Sequence, residues 1–473
     1  MNDRLTNQIN IKSFKQARIS RDSRFDGIFF VAVKTTGIYC RPICPATTPK
    51  EENIEYYDHA YLAAKAGYRP CLRCHPDSAP GSPIWNGTST TLRRAKRFID
   101  SGILEHSSLT ELANRLGITD RYLRQLFDKH LGVSPKSYAL FKQCEFAKNL
   151  LHQTNFSITD IAYTSGFKSV RRFNDCFKKQ LGLSPSQIRK CRKQTDNKLQ
   201  LRLYYRPPYN WNHIQSFLSH RLIPKLEWCE SDSYGRTFTW SSNAYNESTQ
   251  IKSEECQGYF TAYHNKEKHR FDVEIVIDNL LLLKPVINNI RRILDLDTDT
   301  ATIEQHLAKN NFTAIEEGLR LPGTWSVFEA GIRAILGQQI SVVAAHKLLK
   351  TVIDELGEKF DDEKTFFPSA NSISTSNFDF LKMPGKRKQS LIDLAKHSLT
   401  VDIQSSPEKW IHIKGIGPWT IDYAKMRGLS DPDIYLGGDL GVKKAIEQTG
   451  SHIVPDKASP FRSYLTFQLW NLL

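Results

Sequence analysis

HIKGIGPWTIDYAKMRG, residues 412–428, reads as a helix, a turn at Gly415-Ile416-Gly417 and a second helix starting near Pro418. Two glycines let backbone N–H groups approach a phosphate at a helix N-terminus, which binds nucleic acid without much net charge. Such a turn is a weak signal by itself. Twenty residues after Trp419, however, Asp439 stands in DIYLGGDLGVKKAI, where it can cap the helix LGVKKAIEQ or face a ligand. Working outward, WSVFEAGIRAILGQQISVVAAHKLLKTVIDEL (325–356) and SLIDLAKHSL (390–399) carry helical periodicity. Upstream, LQLRLYYRPPYNW (199–211), YFTAYHN (259–265) and RFDVEIVIDN (270–279) read as strands. The order is a mixed α/β subdomain over 199–285, then an all-α domain over 286–473.

This combination resembles the helix-hairpin-helix DNA glycosylases. LYYRPPYNW, RLPGTWSVFEAGIRAILGQQIS and KGIGPWT extend the likeness to the AlkA-type 3-methyladenine DNA glycosylases II, over roughly 200–473. The resemblance implies that Asp439 is catalytic, stabilising an oxocarbenium-like sugar while water completes hydrolysis. It implies a base pocket of Trp419, Tyr423, Trp470 and Phe217, whose ring faces would hold a flipped cationic base. It also places Gly415, Gly417 and Gln339 against DNA. Bifunctional relatives carry a lysine where this chain has Trp419, so a monofunctional enzyme leaving an abasic site is expected. Leu440 stands where that pocket has a tyrosine, and Gln339 where it has a DNA-wedging leucine. Because no cysteine follows Cys256, no iron–sulfur cluster is expected.

A second organising feature is an internal repeat. SLTELANRLGITDRYLRQLFDKHLGVSP (108–135) recurs as SITDIAYTSGFKSVRRFNDCFKKQLGLSP (157–185). Each copy has a short apolar-striped helix, a glycine turn at Gly117 or Gly166, and a helix with exposed Arg, Gln and Asn. That is the pattern of a DNA-reading helix-turn-helix, and its doubling resembles the AraC-type regulators over 88–191. The groove-facing residues expected are Arg121, Arg124 and Gln125 in one copy, with Arg171, Arg172 and Asn174 in the other. Charge agrees: residues 1–195 hold 32 Lys+Arg against 16 Asp+Glu, whereas 196–473 hold 33 against 34. The bland alternative is a helical bundle whose basic face is merely solvated.

Four of the nine cysteines cluster in residues 1–80, before a Pro/Gly/Ser stretch at 77–90. The spacing is Cys40-x3-Cys44, 26 residues, then Cys71-x2-Cys74, which suits one tetrahedral Zn²⁺. His75 is an alternative ligand, and an ordinary structural zinc module is the alternative reading. FVAVKTTGIYCRPIC and AGYRPCLRC resemble the N-terminal domain of the Ada methylation-damage response family. That resemblance implies a small α+β four-cysteine module whose Cys40 irreversibly accepts a methyl group from a methylphosphotriester, with Cys44, Cys71 and Cys74 as the other ligands. It also implies that Thr36 and Arg69 face DNA. Thr47 departs from that pattern, standing where an arginine is expected, and no PCHR motif of the family's second methyltransferase occurs.

The whole reads as a multidomain fusion: zinc module (1–80), all-α double helix-turn-helix (88–191), and glycosylase (199–285 and 286–473). The expected partner is double-stranded DNA through alkylated bases, methylphosphotriesters and promoter sites, with RNA polymerase as a candidate and no membrane. The N-terminus MNDRLTNQINIKSFKQ lacks the apolar core of a signal peptide, so a cytoplasmic, nucleoid-associated protein is expected. The competing reading is a methylation-sensing regulator whose C-terminal half binds damaged bases without catalysis.

Overall fold

A computed structural model describes residues 11, 13–74, 76, 90–190, 199–242, 254–310, 312, 315–400, 407–449 and 453–472. The stretch 77–90, apart from Thr90, and residues 191–198 lie outside them, as does His75. The chain forms two compact units. One comprises Met1–Pro207, Asn279–Asn288 and Leu296–Thr298; the other comprises Pro208–Asp278, Asn289–Asp295 and Asp299–Leu473. Among the described residues no helix is long and apolar enough to cross a membrane.

The first unit begins with a four-stranded sheet of order β3-β1-β2-β4, with β1 Phe30–Val33, β2 Ile38–Cys40, β3 Ile54–Tyr57 and β4 Arg69–Pro70. Strand alternation sends Phe29 and Val31 to one face and Phe30 and Ala32 to the other. The first face packs with Ile54 and Ala17; the second packs Tyr39 against Ala60 and Ala63 of the helix Ala60–Lys65. Phe141, from the long helix Pro135–Gln153, belongs to that second cluster, its ring 5.1 Å edge-on from Tyr61. β5 (Gln200–Tyr204) is also part of this unit.

Two helix pairs flank Pro135–Gln153: Leu109–Arg115 with Asp120–Leu131, and Ile158–Thr164 with Val170–Leu181. Their sequence repeat becomes a repeat of end chemistry. Ser108 with Glu111, and Ser157 with Asp160, form capping boxes. Thr119 and Ser169 cap the second helices, which end in left-handed Gly132 and Gly182. Between the helices of each pair the chain turns at Gly117 (φ +70°) and Gly166 (φ +82°), where a side chain would be strained.

In the second unit β6 (Glu227–Cys229), β7 (Ser233–Ser242), β8 (Glu254–Asn265) and β9 (Arg270–Ile277) pair antiparallel in sequence order. Along β9 Phe271, Val273 and Ile275 are buried and their neighbours are not, the expected period of two. The helical part packs Val327–Gly337, Gly385–Ser398 and Pro418–Gly428 around Trp410, Leu391 and Ala424. The helical stretch 325–356 is interrupted at Gln338–Ser341. Gln339 takes φ +58°, and Ser341 caps a new helix, Val342–Leu356, by accepting from Ala344 N.

Sheet and helices are joined by a buried quartet of charges. Arg236 of β7 donates to Glu329 (2.8 Å) and Glu227 (3.3 Å), and Arg333 donates to Glu329 (2.8 Å) and Glu227 (3.1 Å). Burial opposes ionisation of Glu329, but Arg236 and Arg333 outweigh it and hold the carboxyl down at about 2. Its contribution to stability is therefore complete above the unfolded carboxyl value of 4.5 and is lost as pH falls from there toward about 2. Glu329→Gln strands a buried guanidinium and should cost about 3–5 kcal/mol, read as a lower denaturant midpoint at pH 7. The difference between the two proteins should shrink as the pH approaches 2.

Candidate functional site

The sheet of the first unit assembles the thiols. Cys40 ends β2; β4 runs parallel to β2, and Cys71 N donates to Tyr39 O (2.9 Å), carrying Cys71 and then Cys74 to the same edge. Cys44 returns on a turn, its N–H on Arg41 O (3.1 Å). All four Sγ atoms lie within 4.8 Å of one another. Tetrahedral Zn²⁺ with bonds of about 2.3 Å needs sulfur edges of about 3.8 Å, so the set fits. The donor chemistry requires a cation as well. Its neighbours Cys44 and Cys71 push the Cys40 thiol far up, while Cys40 holds Cys44 down to about 7, so four thiolates cannot coexist without a compensating charge. Cys40, Cys44, Cys71 and Cys74 form a Zn²⁺ site. His75 is outside the described residues.

The four sulfurs are not equivalent. Arg41 N donates to Cys74 Sγ (3.4 Å), Arg73 N donates to Cys71 Sγ (3.4 Å), and the Ala46 backbone N–H lowers Cys44. Cys40 Sγ receives none of these bonds and is partly exposed, whereas Cys71 and Cys74 are buried. Among the described residues these N–H bonds fall on the other three sulfurs, and a sulfur that accepts fewer of them keeps more of its electron density. Arg41 is itself fixed, its guanidinium paired with buried Asp26 and its Nη1 on Cys74 O (3.2 Å). Thr36, in the β1–β2 turn, is exposed, and half-buried Arg69 pairs in register with Ile38 beside Cys40's strand. Thr47 is exposed.

On the doubled helix-turn-helix, Arg121, Arg124 and Gln125 are exposed on Asp120–Leu131, and Arg171, Arg172 and Asn174 on Val170–Leu181. Leu123, Leu126 and Phe127, and Phe173 and Phe177, bury the opposite faces. Arg124 is tied to Asp120 at 2.9 Å, one turn back.

The second unit holds a cavity of about 1020 Å³ lined by Asp439 and all four expected aromatic residues. Trp419 and Tyr423, one helical turn apart on Pro418–Gly428, stack at 5.4 Å and 26°. Trp470 closes a side and donates from Nε1 to Asp439 Oδ1 (3.0 Å). The same oxygen accepts Gly441 N (2.9 Å) and Val442 N (3.2 Å), so Asp439 caps the helix Leu440–Thr449. Capping and pocket roles thus divide between the oxygens: three donors hold Oδ1, and Oδ2 has no partner among the described residues.

The 415–417 turn is gripped from behind. Ser390 Oγ donates to Lys414 O (2.8 Å), and Gln338 Nε2 donates to Gly415 O and Thr420 Oγ1, both 3.1 Å. Gly415 adopts φ +88°, and a Cβ there would lie 2.3 Å from Ser390 Oγ. With the carbonyls engaged, the Gly415 and Gly417 N–H groups are left without partners among the described residues. Gln339 and Leu440 are exposed at the cavity mouth.

Sequence reasoning missed Gln338, Arg221 and Arg427. The two arginines had a signal, each standing four residues after a pocket aromatic: Arg427 follows Tyr423 on the helix Pro418–Gly428, and Arg221 follows Phe217 just past the end of Trp211–Ser219. The Arg221 guanidinium carbon sits 3.9 Å, and that of Arg427 4.7 Å, from the Phe217 ring centroid.

A thiolate zinc module, a doubled helix-turn-helix and a hairpin-bearing pocket domain define a multidomain metalloprotein built to engage DNA. Residues 13–77 match the metal binding domain of Ada, 112–191 a helix-turn-helix domain, and 200–326 the AlkA N-terminal domain. The "Probable bifunctional transcriptional activator/DNA repair enzyme AlkA" of Mycobacterium tuberculosis is 30% identical, over 96% of this chain and 95% of its own length. DNA-3-methyladenine glycosylase 2 of Escherichia coli is 28% identical over 57% of this chain and 95% of its own. The bifunctional transcriptional activator/DNA repair enzyme AdaA of Bacillus subtilis is 33% identical over 38% of this chain and 83% of its own. The chain belongs to the family of bifunctional transcriptional activator/DNA repair enzymes of the Ada/AlkA type.

Native mass spectrometry should find one Zn²⁺ per chain. Cys74→Ser, which removes a buried ligand, should abolish zinc retention and open residues 30–70 to hydrogen exchange while leaving exchange in 327–428 unchanged.

Proposed function

We propose that this protein repairs alkylated DNA, hydrolysing the N-glycosidic bond of alkylated purines such as 3-methyladenine, and that its N-terminal half senses methylation and regulates transcription. The observation that carries the first part is Asp439. A carboxylate with one oxygen fixed by three N–H donors and the other free beside stacked aromatic rings is preorganised for a developing positive charge. A base flipped onto Trp419 would leave its sugar carbon facing Oδ2. As the C1′–N bond breaks, the cationic base departs neutral with the bonding electron pair, Asp439 stabilises the sugar cation, and water adds to C1′ and loses its proton to solvent. The free N–H groups of Gly415 and Gly417 suit a backbone phosphate, and Gln339 at the mouth suits the gap left in the duplex. With Trp419 where a lysine nucleophile would stand, hydrolysis leaves an abasic site.

For the N-terminal half, Cys40 Sγ attacks the methyl carbon of a methylphosphotriester; the carbon–oxygen bond breaks and a phosphodiester anion leaves. Bound Zn²⁺ supplies the charge that keeps the sulfurs ionised at neutral pH. The thioether product lowers the site from −2 to −1, easing approach to phosphates, so affinity for promoter DNA rises through Thr36, Arg69 and the two reading helices. DNA is the partner this reading requires; RNA polymerase as the responding partner and a nucleoid location are its extensions.

Base release from methylated duplex DNA, separated by chromatography, tests the enzyme: Asp439→Asn should release base about 100-fold or more slowly than the parent. Equal release from both, or none from either, would sink the catalytic assignment and leave a non-catalytic damage binder. For the sensor, mass spectrometry after incubation with methylphosphotriester DNA should place one methyl on Cys40, and a Cys40→Ala protein should gain none.

A further inference from the structure

Residues 196–473 hold 33 Lys+Arg against 34 Asp+Glu, so any electrostatic hold of this half on DNA must come from how its charges are placed. Two stretches carry one sign only. Between Asp379 and Asp393 stand Lys382, Lys386, Arg387 and Lys388 with no carboxylate, and between Glu408 and Asp422 stand Lys409 and Lys414 with none. The bounding carboxylates are engaged elsewhere. Asp379 accepts from Asn377 Nδ2 (2.6 Å), Asp393 accepts from Gln389 Nε2 (2.8 Å), and Glu408 pairs with Lys425 (3.2 Å). Lys382, Lys386 and Lys414 are exposed, and Arg387 and Lys388 are half-buried. Among the described residues none of these five side chains has an ion pair or a hydrogen bond. The two stretches meet in space, joined by one hydroxyl: Ser390 Oγ lies 3.0 Å from Lys386 O and 2.8 Å from Lys414 O. A Cβ at Gly415 would lie 2.3 Å from the same oxygen, so the start of the helix Gly385–Ser398 abuts the hairpin turn. Lys386, Arg387 and Lys388 occupy the first turn of that helix, where cations oppose the helix dipole and lower its stability. An anion docked on this face reverses the sign of that effect.

Resting on the glycosylase reading above, we propose that Lys382, Lys386, Arg387, Lys388 and Lys414 form a phosphate-binding face that grips duplex DNA beside the hairpin, whatever its sequence or damage. The Gly415 and Gly417 N–H groups suit one phosphate, and the cations extend that contact to its neighbours on the strand. Contacts of this kind position a protein on DNA and carry no sequence information. Their energy comes from released counterions, so it falls as salt rises. The face holds undamaged duplex while bases are sampled. Because it touches no reacting atom, it governs occupancy and leaves bond breaking to Asp439. Lys444, exposed in the cavity lining on the helix Leu440–Thr449, is a separate cation.

The test uses the full-length protein and methylated duplex DNA of random sequence. Single-turnover base release is followed against protein concentration at several salt concentrations. The triple variant Lys382→Gln/Lys386→Gln/Lys388→Gln should raise the half-saturating protein concentration about tenfold or more at about 0.15 M salt. The slope of its logarithm against log salt should fall by about two to three, at roughly 0.9 per lost phosphate contact. The plateau rate should stay within about twofold, and Lys382→Arg/Lys386→Arg/Lys388→Arg, which keeps the charge, should retain the parent's midpoint and slope. Lysine acylation mapped by mass spectrometry gives a readout that needs no catalysis. Undamaged duplex should shield Lys382, Lys386, Lys388 and Lys414, and leave exposed Lys266 of the β8–β9 turn open. An unchanged midpoint and slope, a lower plateau in place of a shifted midpoint, or shielding no greater than at Lys266 overturns the proposal and assigns the face to an acidic protein instead. A parent that releases no base yet shows the shielding overturns the glycosylase reading alone. One that shows neither overturns both.

Discussion

Two carboxylates and two guanidiniums, buried against one another, are the constraint on which the second unit depends. Glu227 and Arg236 come from the sheet, Glu329 and Arg333 from the helix Val327–Gly337, so neither element can bury its charges without the other. Such a quartet contributes little net stability compared with apolar packing, yet removing one member is costly. It acts as a condition on docking: sheet and helix must meet in one register or leave an ion stranded. Since Glu227 and Arg333 also line the cavity, the register that satisfies the charges also shapes the wall.

That neutrality has a further effect. A closed quartet contributes little field to the cavity, which leaves Asp439, Arg221, Arg427 and Lys444 to set its electrostatics. Aromatic faces attract cations and guanidiniums repel them, and both surround the same space. Discrimination there rests on the balance of two opposed terms, each about a kcal/mol or two. Small substitutions at such a site shift preference more readily than they abolish binding.

Much of this was legible in the sequence where residue type and spacing carry a local rule. Cysteine pairs at x3 and x2 announced a metal, and the Ser/Thr caps and turn glycines of the repeat marked helix ends that the structure reproduces. Asp439 and the four aromatics were readable through resemblance, and the cavity brings them together. What escaped was long-range. Helical periodicity continued through Gln338–Ser341, where the chain breaks so that Gln338 can brace the hairpin. No pattern predicts that break, because its cause lies about eighty residues away in the turn at Gly415. The arginines escaped for another reason: their i+4 spacing was visible, but an arginine facing inward reads like any solvated one until its partners are known.

The place of Phe141 bears on what counts as a module. It lies on the central helix of the doubled helix-turn-helix, yet its ring completes the cluster of Tyr39, Ala60 and Ala63 behind the thiol sheet. Lys65 adds a bond to Gly132 O at 2.5 Å. Borders of homology and borders of cooperativity therefore do not coincide in this half. The segment that carries the sulfurs and the central helix of the doubled helix-turn-helix share one hydrophobic cluster through that ring. A genetic exchange that cut between them would have to supply a replacement for a single aromatic ring.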